Sequence, residues 1–363
     1  MTIKANQPCM TDSLSTWKHV RVNCLLLLED GVRFDTYETL SEIGQFDEPK
    51  AAGEYETGQL FLHSVFGYRG VVLFPWEAEV YDRNLQRRSS FQEQTGGVYK
   101  TPGGVEVHGI RHTYYQTLID ERDWPFIRAQ PESVTFLGAQ EGSRSLYAIP
   151  GLDYVAHEDI LPYHSSEAVP IIHELFERFL IGDPGKDPAF TGRETLKAWR
   201  EKNHPWLALS SVHRETTECI RVTVIPFYMG CRESQNTSVY WWRYCIRLEN
   251  LSKEAVVLRE RHWKIFSISG TLDTVRGRGV VGLVRGRGKN GKRVTSYGRS
   301  QEPVLSPAIP AFQYSSHVSL HAPSGHMWGS FKMERTNGQT FECRIPPFAL
   351  ESCSEEPTSG AAI

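Results

Sequence analysis

Apolar and polar residues alternate with a period of two along most of the chain beyond Tyr55. In "CIRVTVI" (219–225), Ile220, Val222 and Val224 alternate with Arg221 and Thr223, the pattern of a strand with one face buried. "VYWWRYCIRLEN" (239–250) places Tyr240, Trp242, Tyr244, Ile246 and Leu248 on one face. The opposite face mixes Arg243 and Arg247 with Val239, Trp241 and Cys245. "VVLRERHWKIFSISG", "FQYSSHVSL", "MWGSFKME" and "QTFECRIPPF" continue the series, each bounded by Gly, Pro or Ser. This run of strands after Thr216 predicts a two-sheet sandwich.

The preceding region predicts a smaller β unit. "GQLFLHSVFGYRGVVLFPWEAEVYD" (58–82) contains two β-rich runs joined at "FGYRG", and "HTYYQTLID" (112–120), "SVTFLG" (133–138) and "YAIPGLDYV" (147–155) follow. Short strands between turns suggest a small barrel, with the polar stretch 83–104 as a long loop. The period then changes. In "IIHELFERFLI", Ile171, Ile172, Leu175, Phe176, Phe179 and Leu180 fall at helical spacing, and "RETLKAWREK" (193–202) reads as a second helix with Thr191 before it as cap. Burial of this apolar face against the barrel is the expected use of the pair. The domain map is therefore a flexible leader over 1–54, a barrel over 55–168, a helical connector over 169–211, a sandwich over 212–356 and a disordered tail over 357–363.

The segment "VRGRGVVGLVRGRGKNG" (275–291) carries Gly-x-Gly-x-x-Gly twice, first as Gly277, Gly279 and Gly282. A dinucleotide site needs a strand, the glycine turn and then a helix whose N-terminus faces the pyrophosphate. The sequence after Gly282 has no amphipathic helix, and its many glycines oppose one at about 1 kcal/mol each relative to Ala. A glycine-rich edge loop is the better reading. Arg276, Gly277, Arg278, Gly279 and Gly282 stay open as an anion-binding motif, because successive backbone N–H groups can form a nest. Between Asp273 and Glu302 lie eight basic residues and no acidic one, which predicts a disordered, self-repelling loop able to follow a phosphate backbone. Closing a loop of about 24 residues instead of 5 costs only about 1.4 kcal/mol more, so the fold tolerates it.

Composition narrows the function classes. With 40 Lys and Arg against 43 Asp and Glu, the net charge of −3 gives no global attraction to nucleic acid or membrane. "VNCLLLL" (22–28) is too short to span a bilayer and is followed by Glu29 and Asp30. Residues 1–28, with Lys4, Lys18 and Arg21 against Asp12, match a mitochondrial presequence weakly, and a disordered leader is the equal alternative. Cys9, Cys24, Cys219, Cys231, Cys245, Cys343 and Cys353 form no zinc spacing, and the odd number points to free thiols in a reducing compartment. "HELFE" (173–177) lacks the second histidine of a zinc protease. His317, His321 and His326 are close in sequence without an acidic or cysteine partner, so hydration of exposed polar side chains explains them better than a metal. Glu260 and His262 share a strand face, as an acid–base pair or, by preference, a cross-strand ion-paired surface. Nothing assembles a nucleophile, a base and an oxyanion donor, and neither a metal nor a cofactor is expected.

Two sets of motifs resemble known domains. "GQLFLHSVFGYRGVVLFPWEAEVYD", "HTYYQTLIDERD" and "YAIPGLDYVAHEDILPY" resemble the YccV-like (HspQ-type) barrel. "YCIRLEN", "RHWKIF", "VRGRGVVG", "EPVLSP", "FQYSS" and "IPPFAL" resemble the ApaG domain, an immunoglobulin-like or fibronectin-like sandwich. The two in this order, over roughly 45–355, resemble a family of polymerase delta-interacting adaptors. The resemblance implies a mainly β protein: a small SH3-like barrel joined by a helical connector to the sandwich. It further implies a non-catalytic adaptor, with the DNA polymerase delta small subunit, the sliding clamp PCNA, the primase-polymerase and the ClpX protease machinery as partners, in the mitochondrial matrix and the nucleus. The ApaG glycine motif maps onto Gly277, Gly279 and Gly282. The sequence departs from the family pattern twice. Residues 283–301 are extra between "GVVG" and "EPVLSP", and the leader lacks an arginine-rich presequence, which puts import of this form in doubt.

A monomeric adaptor that binds through aromatic-plus-arginine patches is the resulting expectation, with Trp241, Arg243 and Arg247 as candidate partner-binding residues. Packing of Trp241 under a neighbouring loop is the alternative. The rival class is a nucleic-acid-binding accessory factor that uses the basic loop 276–299.

Overall fold

The long strand Arg69–Asp82 organises the N-terminal half of the chain. The computed structural model describes residues 44–84, 97–101, 104, 106–124, 132–136, 146–203, 210–234, 237–287 and 293–353. β1 (Leu60–His63) and β2 (Arg69–Asp82) pair antiparallel with Leu60 opposite Val71. The turn between them needs Gly67, whose φ of 71° L side chains rarely adopt. β3 (Ile110–Ile119) pairs with the other edge of β2, and β4 (Leu152–Ala156) pairs with β3. β5 (Ile160–Ser165) pairs with β1. A single 3-10 turn, His157–Asp159, joins β4 to β5, and among the described residues no ladder closes one onto the other, so the unit is an open barrel. Phe61, Tyr68, Val72, Tyr115, Ile119, Val155 and Ile160 fill its interior.

Part of the expected leader, residues 44–54, belongs to the described structure. Gly44–Phe46 pairs antiparallel with β5, and the Tyr55 backbone N–H donates to the Tyr115 hydroxyl at 3.0 Å. The earlier part of the leader, most of the 83–104 loop and the tail beyond 353 lie outside the described residues.

The connector differs from the sequence expectation. Its first helix is one turn, α1 (Phe176–Phe179), after which Leu180–Gly182 pairs with Phe190–Gly192; the second, α2 (Glu194–Asn203), forms as expected. Thr191 lies in that short hairpin and is not a cap. Ile171, Leu175, Phe176, Phe179 and Leu180 are all buried against the barrel, whereas Ile172 is exposed. Burial satisfies the apolar spacing without a long helix, because packing outweighs local propensity in so short a segment.

The C-terminal half is the expected sandwich. Its strands are β6 (Ser210–Thr217), β7 (Ile220–Ser234), β8 (Thr237–Asn250), β9 (Val256–Ser267), β10 (Leu272–Arg278), β11 (Val280–Arg287), β12 (Arg293–Gln301), β13 (Ala311–Leu320), β14 (Ser324–Arg335) and β15 (Thr340–Glu351). One sheet runs β6-β7-β8-β13 and the other β10-β9-β14-β15. Between them lie Val222, Val224, Trp242, Ile246 and Leu248 from one side and Trp263, Phe331, Met333 and Phe348 from the other. The segment expected as a disordered loop pairs as an antiparallel ribbon, β11 with β12, with Val280 opposite Gln301.

The two units are not beads on a linker. β2 pairs in parallel with β6, Ala78 opposite Ser210 through Asp82 opposite Arg214. This splice merges the barrel strands and the first sandwich sheet into one ten-stranded sheet. A core cluster crosses it too: Val212, Ile225 and Cys245 pack with the barrel residues Trp76, Tyr154 and Ala156. Heating should therefore give one calorimetric transition for both units, with calorimetric and van't Hoff enthalpies equal; two resolved transitions would show that the shared sheet does not couple them.

Candidate functional site: the seam and the glycine-rich edge

β8 is buried on both faces. Its even residues, Trp242 to Leu248, enter the sandwich core as the alternation predicts. Its odd residues, expected as a mixed exposed face, turn toward the barrel. The Arg243 side chain, 3% exposed, donates to the Tyr154 hydroxyl, and its guanidinium lies 4.7 Å from the Phe227 ring centroid. Arg247 pairs with Asp159 at 2.8 Å and sits over Phe66 at 5.2 Å. Arg243 and Arg247 thus join the two units and offer no exposed patch, because the barrel covers the face that alternation alone leaves unassigned. Trp241 is half-buried, 5.8 Å from the His317 ring. The structure does not bring the three together as one surface.

The barrel supplies complementary groups. Asp153, fully buried, accepts from the Tyr68 hydroxyl at 2.6 Å and from Gln313 Nε2, on β13, at 2.6 Å. Burial pushes its carboxyl above the usual range despite those bonds. Asp159 accepts from Ser64 Oγ at 2.7 Å. Burial alone would raise the Asp159 carboxyl too, but Arg247 and His63 outweigh it and hold the group well below the ordinary carboxylate value. Arg214, in the parallel splice, donates to the Tyr114 hydroxyl at 2.7 Å. A small cleft lies over this network between Tyr114, Glu158, Arg214, Arg221 and Glu249. Both signs of charge line it in similar number, and the buried carboxylates already have their donors. The arrangement fixes two units in register. Sequence reasoning missed Asp153, Asp159 and Gln313. The available signal was a charge set inside a wholly apolar strand, as in "LDYVA".

His213 on β6 lies in the same seam, stacked on Tyr81 at 5.2 Å and edge-on to Tyr99 at 4.9 Å. Burial, with Arg83 adding to it, lowers its pKa to about 3.

The glycine motif occupies the end of an edge strand and the bulge after it. Gly277 lies in β10 opposite Arg261 on β9, and a Cβ there would meet the Arg261 guanidinium at 3.0–3.1 Å. Gly279 takes a φ of 53° at the corner between β10 and β11, and Gly282 falls where the β11–β12 register shifts. Among the described residues β11 and β12 follow, not a helix, which removes the dinucleotide reading. The anion nest is not formed at the described atoms either. The Gly279 N–H donates to the Arg259 carbonyl at 2.7 Å, while the Arg278 and Gly279 carbonyls accept from Arg261 at 3.1 and 2.9 Å. The motif presents carbonyls to a cation of its own fold. Arg278 pairs with Glu302 at 2.8 Å, whereas Arg276 is exposed.

Among the other candidates, Glu260 pairs across the ladder with Lys332 at 3.5 Å and not with His262, as the ion-paired alternative expects. His317, His321 and His326 do not converge: among the described residues no group of three potential metal ligands forms. Cys231, Cys245, Cys343 and Cys353 are free, but Cys219, in the β6–β7 turn at φ 65°, is disulfide-bonded, which corrects the expectation of free thiols throughout. Burial first, then nearby charge from Asp153, pushes the Cys245 thiol up to about 12, so it is no nucleophile.

The ApaG domain model matches residues 231–285 and 287–335, two stretches split within the extra segment. Polymerase delta-interacting protein 2 of mouse and of human are each 62% identical over 328 residues, which is 90% of this chain and 83% of theirs. The chain belongs to the polymerase delta-interacting protein 2 family. Protein ApaG of Rhodospirillum centenum is 38% identical over 141 residues, 39% of this chain and 94% of its own. The shared sheet is therefore the setting in which this family member holds its ApaG sandwich.

Two outcomes follow from the seam. Arg247→Ala should cost about 3–5 kcal/mol by stranding the Asp159 carboxylate, whereas Arg247→Met with Asp159→Leu should recover most of it, measured by denaturant unfolding. His213 binds its proton more readily in the unfolded chain (pKa ~6.5) than in the folded one (about 3). Its contribution is thus complete above pH 6.5 and declines as pH falls toward 3, with a slope approaching 1.4 kcal/mol per pH unit. His213→Phe should flatten stability over that window; an unchanged slope would show that His213 is not the group responsible.

Proposed function

We propose that the chain is a non-catalytic adaptor that presents surfaces of a rigid two-unit body to replication and repair polymerases, with the DNA polymerase delta small subunit as first partner. Two observations support this reading. Close relatives over 90% of the chain carry polymerase delta interaction in their name. The charged groups at the seam are engaged with one another in a scaffold that fixes orientation. The sliding clamp, the primase-polymerase and the ClpX machinery complete the partner set of this reading, divided between nucleus and mitochondrial matrix.

Trp241 remains the candidate contact from the original trio, since Arg243 and Arg247 are internal. With the purified small subunit, Trp241→Ala should weaken binding about tenfold, or about 1.4 kcal/mol, while Arg243→Ala should act chiefly on stability. Unchanged affinity in Trp241→Ala would move the contact elsewhere; absence of binding by the unaltered chain would remove the partner.

A second reading, binding of single-stranded nucleic acid, rests on the eight basic residues without an acidic one between Asp273 and Glu302. It predicts affinity that falls steeply with salt and is lost on deletion of residues 283–301. A deletion without effect on retention by a single-stranded oligonucleotide column would sink it.

A further inference from the structure

We propose that the outer edge of β10, Leu272–Arg278, docks an extended acidic segment of a partner protein as an added strand. The inference rests on the adaptor reading above and names the surface and the chemistry that it uses.

β10 is the last strand of its sheet, β10-β9-β14-β15, and among the described residues no ladder covers its other side. The hydrogen-bond parity of its ladder is fixed at both ends. The Ser267 N–H donates to the Thr271 carbonyl at 2.9 Å, and the Gly279 N–H donates to the Arg259 carbonyl at 2.7 Å. In an antiparallel pair, alternate residues bond inward. Residues 271, 273, 275, 277 and 279 therefore turn their polar groups toward β9, and Leu272, Thr274, Arg276 and Arg278 turn theirs outward. The Arg278 carbonyl is taken by Arg261. Leu272, Thr274 and Arg276 keep both groups open, a row that a fourth chain segment can complete.

The side chains of the outward row share the face away from the sandwich core, because their ladder partners are Phe266, Lys264, His262 and Glu260, whereas Trp263 points inward. At one end this face is apolar: Leu272 is 57% exposed beside Phe266 at 38%, with Ile268 at 65% in the turn. At the other end it is cationic. Arg278 is answered by Glu302, but neither Arg276 nor Lys264 forms an ion pair among the described residues. Asp273, the carboxylate of this strand, lies on the opposite face. An edge this exposed invites pairing, and charged side chains are the usual guard. Here the guard is Arg276 with Lys264 beside it on β9, a cationic pair that a second copy would repeat and repel and that an acidic strand would neutralise. Strand addition draws affinity from the main chain and specificity from alternate side chains. An antiparallel guest would carry carboxylates opposite Arg278 and Arg276 and an aliphatic side chain opposite Leu272.

The probe is a fluorescein-labelled peptide, Glu-Thr-Glu-Thr-Val-Thr-Leu, matched to the seven residues of β10, titrated into the full chain at low salt. Binding should protect the Leu272, Thr274 and Arg276 amides from hydrogen exchange and should weaken as salt rises. Thr274→Pro removes only an outward N–H and should abolish binding, whereas Thr274→Val should keep it. Should the proline variant misfold, Arg276→Glu tests the same edge from an exposed side chain and should weaken binding about tenfold or more. A peptide with Lys in place of both Glu should not bind. Equal binding to Thr274→Pro or to the Lys peptide overturns the proposal, as does a chain that dimerises through this edge and ignores the acidic peptide. The polymerase delta small subunit is run in parallel. If the unaltered chain and Thr274→Pro bind it equally well, the edge is not the adaptor's contact and the proposal fails while the adaptor reading stands. If the acidic peptide binds and the subunit does not, the edge stands and the named partner falls.

Discussion

The parallel pairing of β2 with β6 is the constraint on which the rest depends. It takes the C-terminal end of a barrel strand, Ala78 to Asp82, and makes it the neighbour of the first sandwich strand. Once that splice exists, the middle of β8 no longer has a solvent face. The barrel lies against it there, and Arg243, Cys245 and Arg247 must be compatible with an interior. Arg243 and Arg247 meet this condition by bringing their partners with them, the Tyr154 hydroxyl and the Asp159 carboxylate. Buried ion pairs contribute little net stability relative to apolar replacements, yet they discriminate strongly against misregister, since a one-residue slip leaves each charge unanswered. The seam therefore sets alignment, and the apolar clusters on both sides set cohesion.

The glycine-rich edge follows a related logic at smaller scale. Gly277 has no side chain because the Arg261 guanidinium lies across it, and Gly279 turns the corner that lets Arg261 reach the Arg278 and Gly279 carbonyls. A motif that elsewhere lets a phosphate approach the backbone here lets an arginine of the same chain do so. The same residue spacing serves opposite electrostatics because the backbone presents oxygens and not N–H groups.

Much of the architecture was legible in the sequence. Period-two alternation located β7, β8, β9, β13, β14 and β15, and the absence of an amphipathic segment after Gly282 removed the dinucleotide fold. Both readings need only local information. The errors have a common source in what locality omits. Alternation assigns Arg243 and Arg247 to one face of β8 but cannot say what covers it, because the cover arrives through pairing between residues about 130 positions apart in sequence. Helical spacing in "IIHELFERFLI" marked the buried residues correctly but not their conformation, since a hairpin after Phe179 buries the same side chains. The basic insert looked self-repelling as a chain, yet ladder pairing of β11 with β12 offers each segment backbone partners that composition does not reveal.

A continuous sheet also changes what it means for one chain to hold two folded units. Modules on a flexible tether explore many separations, and a second binding event then depends on how often the tether brings the sites into reach. Here any point on the barrel and any point on the sandwich are fixed on one frame, so their spacing is a built-in length. A ligand that matches that length gains the full avidity of two footholds at once; one that does not match gains none.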